Sequence, residues 1–276
     1  MPASVTDALP ARRGPWILAV DIGTSSVRAG WMDGTGTPLL APVARAEYVW
    51  SALAEDGMEV DAEVLLDRCV AVIDDAVDTG RVAGIEPAAV SIAAFWHGLV
   101  GIGPDGRAVT PLYGWGDGRA RAAADALRAR VDEDAVHRRT GCFVHELYPA
   151  AKLVWLHGAG GDSLPPATTW ASIGELLAHR LTGEMCTSVS MASGTGLMDL
   201  RRCAWDAEML DAVGIPAEAL PPIGDAPLPA LRPAFADRWP ELASIPWFSA
   251  LGDGACASLG SGAVGARVAV TVGTSA

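Results

Sequence analysis

An apolar segment that halts on a polar, glycine-centred turn is the strongest constraint this chain places on its own fold. Trp16-Ile17-Leu18-Ala19-Val20 has the length and composition of a buried strand. It runs into Asp21-Ile22-Gly23-Thr24-Ser25-Ser26, and Val27 to Met32 then resumes a strand pattern before the turn chemistry of Asp33-Gly34-Thr35-Gly36. The opening unit is therefore strand, tight polar hairpin, strand. Apolar spacing of three and four in Val60 to Val77 (Val64, Leu65, Val72, Ile73, Val77) predicts an amphipathic helix, and Ala89 to Phe95 predicts a buried strand ending in Trp96-His97-Gly98. Leu99 to Ile102 and Ala108 to Leu112, around Pro104-Asp105-Gly106, predict a further hairpin.

Helices are expected over 118–131, from Pro149 to Leu156, from a Ser172 cap to Leu181 before Gly183, and over 206–213, with a short strand at 168–171. The proline-rich stretch 216–246 reads as an irregular connector with short helical pieces. Trp247 to Leu251 predicts a strand entering Gly252-Asp253-Gly254, a small-residue helix follows over 255–260, and Arg267 to Val272 predicts a last strand. Strands alternating with helices place the chain in the α/β class.

Composition removes several functions. Half of the 276 residues are apolar, enough for a sizeable core, and 20 basic against 33 acidic side chains give a net charge of −13. Such a field repels phosphate backbones and anionic lipid, so neither nucleic acid nor a membrane surface is an expected partner. A bound anion must be held by a local device such as backbone N–H groups, a metal or a single arginine. No apolar run approaches the roughly 20 residues of a spanning helix. Residues 1–14 lack a secretory pattern and read as a loose tail. Five scattered cysteines without a CxxC pair argue against a disulfide framework or zinc site and for a reducing cytoplasm. Lys152 is the only lysine and no GxxxxGK occurs, so a lysine-dependent P-loop is excluded.

Three constellations carry chemistry. In Asp21-Ile22-Gly23-Thr24-Ser25-Ser26-Val27-Arg28, a glycine in a tight turn lets backbone approach a phosphate, three hydroxyls add donors, and Arg28 offers a charge-assisted bond. Asp21, at the strand end, is placed where Mg²⁺ can be held through water; an ordinary hairpin uses the same residue types. In Gly252-Asp253-Gly254-Ala255, a carboxylate at a strand end is open to a substrate and suited to accept a proton from an attacking alcohol, although a plain helix cap has the same appearance. Phe95-Trp96-His97-Gly98 and Trp115-Gly116-Asp117-Gly118-Arg119 supply indole faces for a sugar ring and polar groups for its hydroxyls, or else core and turn residues. Val270-Thr271-Val272-Gly273-Thr274-Ser275 echoes Val20-Asp21-Ile22-Gly23-Thr24-Ser25, the mark of duplicated phosphate hairpins or of chance.

Taken in order, DIGTSSVR (21–28), FWHG (95–98), WGDGR (115–119), TGCFVHELYPAAKLVWL (140–156) and LGDGACASLG (251–260) resemble the FGGY family of carbohydrate kinases, within the actin-like, ribonuclease-H-like ATPases. The hairpin alone is shared with actins and heat-shock chaperones, whereas the WHG and WGDGR segments suit a sugar. SVSMASGTGLMDLRR and the WHG/WGD pair look most like the gluconokinase-type branch, with xylulokinases next.

The resemblance implies an actin-like mixed sheet flanked by helices, with a sugar-binding domain over 15–246 and the start of a nucleotide-binding domain over 247–276, continued in relatives by a second lobe. It implies ATP and Mg²⁺ as cofactors and a small carbohydrate as substrate. Asp253 would be the general base, and Asp21 would support Mg²⁺. Gly23, Thr24, Ser25, Ser26, Arg28, Gly273 and Thr274 would meet the phosphates of ATP. Trp96, His97, Asp117 and Tyr148 would line the sugar site, with the roles of Arg119 and His145 open. Gly116 and Gly118 replace bulkier residues of many relatives, which implies a looser loop there. A lone lobe would leave apolar surface for a partner lobe or a second copy.

Overall fold

The computed structural model describes residues 14–39, 42–54, 56–158, 167, 169–263 and 265–270. Most of the expected tail, together with Gly273 and Thr274, lies outside them. In chain order the elements begin with β1 (Trp16–Ile22), β2 (Ser26–Asp33), β3 (Ala44–Glu47), β4 (Ser51–Leu53), β5 (Gly57–Val60), α1 (Ala62–Ala83), β6 (Pro87–Ala94), β7 (Val100–Ile102) and β8 (Leu112–Tyr113). They continue with α2 (Arg121–Arg128), α3 (Glu133–Thr140), α4 (Pro149–His157), β9 (Thr169–Ala171), α5 (Ile173–Thr182), α6 (Val189–Ser193), β10 (Met198–Asp199), β11 (Ala204–Trp205), α7 (Ala207–Val213), α8 (Pro233–Arg238), β12 (Leu251–Gly252) and α9 (Asp253–Gly260).

The main sheet has the order β12-β6-β1-β2-β3. β1 and β2 form the expected hairpin, closing at Ile22↔Val27, while β6 runs parallel to both β1 and β12. Alternation decides which face is inside: Leu18, Val20 and Ile22 of β1 and Val27, Ala29 and Trp31 of β2 are buried. α1 covers this sheet. Asp61 caps its first turn by accepting from the Glu63 and Val64 amides, Gly84 ends it at φ 63°, and Leu65, Leu66, Cys69, Val72, Ile73, Ala76 and Val77 form its buried stripe. Trp31 donates its indole N–H to the Ala76 carbonyl at 2.7 Å. Gly80 has no side chain to oppose that ring, since a Cβ there would meet it at 2.8 Å. A second apolar cluster packs α2, α4 and α7 beside the first.

α5 forms as its sequence predicts, with a capping box between Ser172 and Glu175 and Gly183 in the left-handed region. The small strands β3, β4 and β5 and the helix α3 carry no strong periodicity and were not expected. One expectation needs correction. Residues 267–270 pair with no strand among the described residues, and Val268 and Val270 are exposed; apolar alternation gives a strand only where a sheet edge accepts it. Trp247 and Ala250 are buried in the main core, and β12 adds to the main sheet.

Candidate functional site

Register across the sheet builds the site. Ile22, Ala94 and Gly252 are aligned on β1, β6 and β12, so Asp21 and Asp253 stand at the same end of parallel strands with one strand between them. At a spacing of about 4.8 Å per strand the aligned Ile22 and Gly252 backbones are about 10 Å apart, with Asp21 one residue before that level and Asp253 one residue after it. Asp21 pairs with Arg28 at 2.7 Å. Its carboxyl is held above the usual carboxylate range by burial first, with Arg28 opposing and the Asp253 charge adding to the rise.

The hairpin that follows Asp21 is locked from one side. Tyr48 donates its hydroxyl to the Gly23 carbonyl at 2.6 Å, Trp50 its indole N–H to the Thr24 carbonyl at 2.7 Å, and the Tyr48 amide reaches the Ser25 carbonyl at 3.4 Å. In a trans peptide the N–H points opposite to its C=O. With the Gly23 and Thr24 carbonyls drawn toward 48–50, the Thr24 and Ser25 amides face the other way, a geometry suited to an anion. Gly23 also leaves room, because a Cβ there would lie 3.3 Å from the Arg28 guanidinium. Ser25 is exposed, whereas Ser26 is 4% exposed and lies opposite Glu47 of β3 in the sheet register.

Asp253 begins α9, and the Gly254 amide donates to its Oδ1 at 2.7 Å. The loop before it is gripped by α6 and its cap: Ser188 donates to the Ala250 carbonyl at 2.6 Å, and the Gly252 amide donates to the Ser190 hydroxyl at 3.0 Å. Trp96 fits between glycines. Its indole N–H donates to the Ser190 carbonyl at 3.0 Å, while Cβ atoms on Gly252 and Gly194 would collide with its ring at 2.0 and 2.7 Å. The Trp96 side chain is thereby set against the catalytic candidate Asp253.

His97 takes a left-handed φ of 66°. Its Nδ1 lies 2.7 Å from the Gly194 carbonyl, which accepts only, so in the neutral ring Nδ1 carries the proton and Nε2 is an acceptor. Burial pushes the imidazole down to about 4, against the Gly194 hydrogen bond, which raises it. Tyr148 meets the His97 ring edge-on at 4.6 Å, and His145 lies beyond it at 6.2 Å.

Asp117 is tied to the protein's own groups. It is 1% exposed, accepting from the Met58 amide at 3.1 Å and from Arg119 at 2.5 Å. Burial alone would raise its carboxyl, yet these hydrogen bonds hold it below the usual range. Arg119 also reaches Glu59 at 2.9 Å and lies over the Trp155 ring, so its charge is spent inside the protein. Nor is the 115–119 loop loose: Gly116 and Gly118 let it press on Met58 and Asp56, where Cβ atoms would stand 2.9 and 3.1 Å away. Trp115 ties this loop to the hairpin through its indole N–H, which donates to the Thr24 hydroxyl at 3.1 Å. Tyr48 and Trp50, whose only local signals are their polar atoms, and Ser188 and Ser190, which fall within the SVSMASGTGLMDLRR segment, were not among the expected site residues. Trp115, expected as an indole face for a sugar, is hydrogen-bonded to the hairpin, and Lys152 had no expected role.

A sequence model of the FGGY family of carbohydrate kinases, N-terminal domain, matches residues 16–260. The chain belongs to that family. Among curated FGGY relatives, the gluconokinase of Bacillus subtilis (strain 168) is 26% identical over 272 residues, covering 94% of this chain and 50% of the relative. The glycerol kinase of Rhizobium meliloti (strain 1021) is 28% identical, with 90% and 50% covered. The crystal structure of gluconate kinase from Lactobacillus acidophilus superimposes with a TM-score of 0.80 at 25% identity, covering 90% of this chain and 50% of that one. The ligand-bound xylulose kinase from the same organism gives 0.81, with the same identity and coverage. The chain thus spans about half the length of the curated relatives it matches, and its fold is the actin-like α/β arrangement.

Proposed function

We propose that the polypeptide carrying this FGGY domain transfers a phosphoryl group from ATP to a hydroxyl of a small carbohydrate, gluconate foremost and xylulose or another ketose or polyol next. One observation carries this reading: the Asp21–Arg28 hairpin, Asp253 and Trp96–His97 meet at a single end of the sheet. In it Asp253 accepts the proton of the attacking hydroxyl, Trp96 packs on the sugar, His97 Nε2 accepts from a sugar hydroxyl, and Tyr148 flanks it. The Thr24 and Ser25 amides with Arg28 face the phosphates, and Gly273 and Thr274 are proposed as a second phosphate turn.

No group of three or more His, Cys, Asp or Glu side chains suited to a metal occurs among the described residues. Two carboxylates nonetheless fit Mg²⁺, which keeps several waters and takes one or two carboxylates besides phosphates. Asp21 would hold it through water, and when bound it neutralises phosphate charge.

No helix among the described residues is long and apolar enough to cross a membrane. The five unpaired thiols support a cytoplasmic setting. Phe248, Leu251 and Leu259 are exposed beside the site and support self-association, which light scattering across a concentration series would register as a rising mean mass.

A panel of aldonates, ketoses and polyols with MgATP, run on this chain and on one extended past Ala276, tests the reaction. Carbohydrate-dependent ADP release is expected from the extended chain, and hydrolysis indifferent to carbohydrate would count against it. A second reading takes these residues as a domain that by itself binds sugar but not ATP; calorimetry showing the first without the second on residues 1–276 would establish it. A pH prediction also follows. Because His97 stays neutral down to about 4, its contribution to sugar affinity is expected to be flat from pH 8 to about pH 5 and to fall as pH nears 4. Calorimetric titrations on wild type and His97→Ala separate it from other groups.

A further inference from the structure

The only lysine of the chain is buried where two site-forming loops meet. Lys152 sits in α4 at 1% exposure, far below what is usual for this residue type. Its Nζ donates to the His97 carbonyl at 2.7 Å and to the Gly114 carbonyl at 2.6 Å. Each carbonyl is a junction. His97 is a non-glycine residue in the left-handed region, a conformation that persists only when its surroundings hold it. Lys152 grips its carbonyl, and the Gly194 carbonyl takes its ring proton. Gly114 opens the turn in which its carbonyl also accepts from the Asp117 amide at 3.2 Å and its own amide donates to the Met58 carbonyl at 2.7 Å. The next residue, Trp115, reaches Thr24 of the phosphate hairpin.

An apolar side chain of equal length would fill this space without desolvating an ammonium, but it would take this donor from the His97 carbonyl and leave the Gly114 carbonyl only the longer Asp117 amide bond. Burial lowers the Lys152 amine to about 7, with Asp117 opposing and Arg119 assisting the fall. A neutral amine keeps two N–H donors, which suits two carbonyls. The arrangement makes no contact that α4 needs for its own helix.

Resting on the sugar-kinase reading of this cleft, we propose that Lys152 is a positioning residue that locks the His97 imidazole and the Trp115 indole into one binding geometry. It touches neither sugar nor phosphate and acts through the two loop carbonyls.

The test compares Lys152→Met with Leu153→Ala, a change at a fully buried neighbour on the same helix that belongs to the second apolar cluster. Calorimetry with whichever carbohydrate the wild type binds is expected to show at least a tenfold weaker Kd for Lys152→Met. Leu153→Ala is expected to lower the melting temperature yet stay within about twofold of wild-type affinity. Equal losses in both variants, or an unchanged Kd in folded Lys152→Met, would overturn the proposal. A second readout needs no sugar: the His97 ring followed by NMR is expected to titrate at a higher pH once the lysine charge, one of the influences lowering it, is gone. An unchanged titration and unchanged ring shifts would equally overturn it. If the wild type binds no carbohydrate of the panel, the sugar reading falls while the NMR arm still judges Lys152. Should Lys152→Met not fold, Lys152→Gln carries the same comparison.

Discussion

Asp253→Asn is expected to reduce phosphoryl transfer in the extended chain by at least a hundredfold while leaving carbohydrate affinity within a few-fold. The amide keeps the size of the carboxylate and its acceptor oxygen, so the Gly254 amide still has its 2.7 Å partner and the loop keeps its shape. What it loses is basicity toward the hydroxyl proton, a contribution of typically 10²–10⁴ in rate. A second consequence distinguishes this variant from a merely damaged site. The Asp253 charge is one of the influences that raise the Asp21 carboxyl, so Asp21 should titrate lower in Asp253→Asn. Steady-state kinetics with parallel calorimetry read the first effect, and carboxyl-selective NMR reads the second. Near-normal turnover would take the base role away from Asp253.

Gly252→Ala is expected to damage both stability and sugar binding, although one methyl group is all it adds. The backbone there, φ −63° and ψ 133°, suits alanine, so no conformational penalty arises. The effect is steric: the new Cβ would lie 2.0 Å from the Trp96 ring. Either the indole leaves its 3.0 Å hydrogen bond to the Ser190 carbonyl or β12 separates from β6. Overpacking of this kind costs about 1–3 kcal/mol, and displacement of the indole should weaken carbohydrate binding at least tenfold. Thermal unfolding and calorimetry check both. In the double variant Gly252→Ala/Trp96→Ala the clash disappears, so the melting temperature should recover toward that of Trp96→Ala while affinity stays low. An unchanged affinity in the single variant would show that the Trp96 ring does not serve the sugar.

Local chemistry made much of this molecule legible. The β1–β2 hairpin announces itself through a strand-length apolar run broken by Asp21, Gly23 and Thr24, and α5 through Ser172, Glu175 and Gly183, because caps and turns are decided by neighbours in sequence. The spaced motifs at 21–28, 95–98 and 251–260 were equally readable as candidates. Other features had no local signal. A carboxylate in a glycine turn looks alike whether it faces solvent or is buried, so nothing in the sequence marks Asp117 as 1% exposed and bonded to Arg119. Apolar alternation at 267–270 looked like a strand but finds no edge among the described residues. Lys152 bonds backbone carbonyls 55 and 38 residues away, a relation invisible in any window.

The sequence by itself determined the class of the fold, the hairpin, the capped helices and the family, since periodicity, turn chemistry and motif order are properties of residues near one another. Only the tertiary structure decided that Gly252 aligns with Ala94 and Ile22, which brings Asp253 to the hairpin, and that Trp96 fills the space left by glycines on two separate segments. The physical reason is that sheet register and close packing are set by the best fit among distant segments, and each segment alone is compatible with several partners.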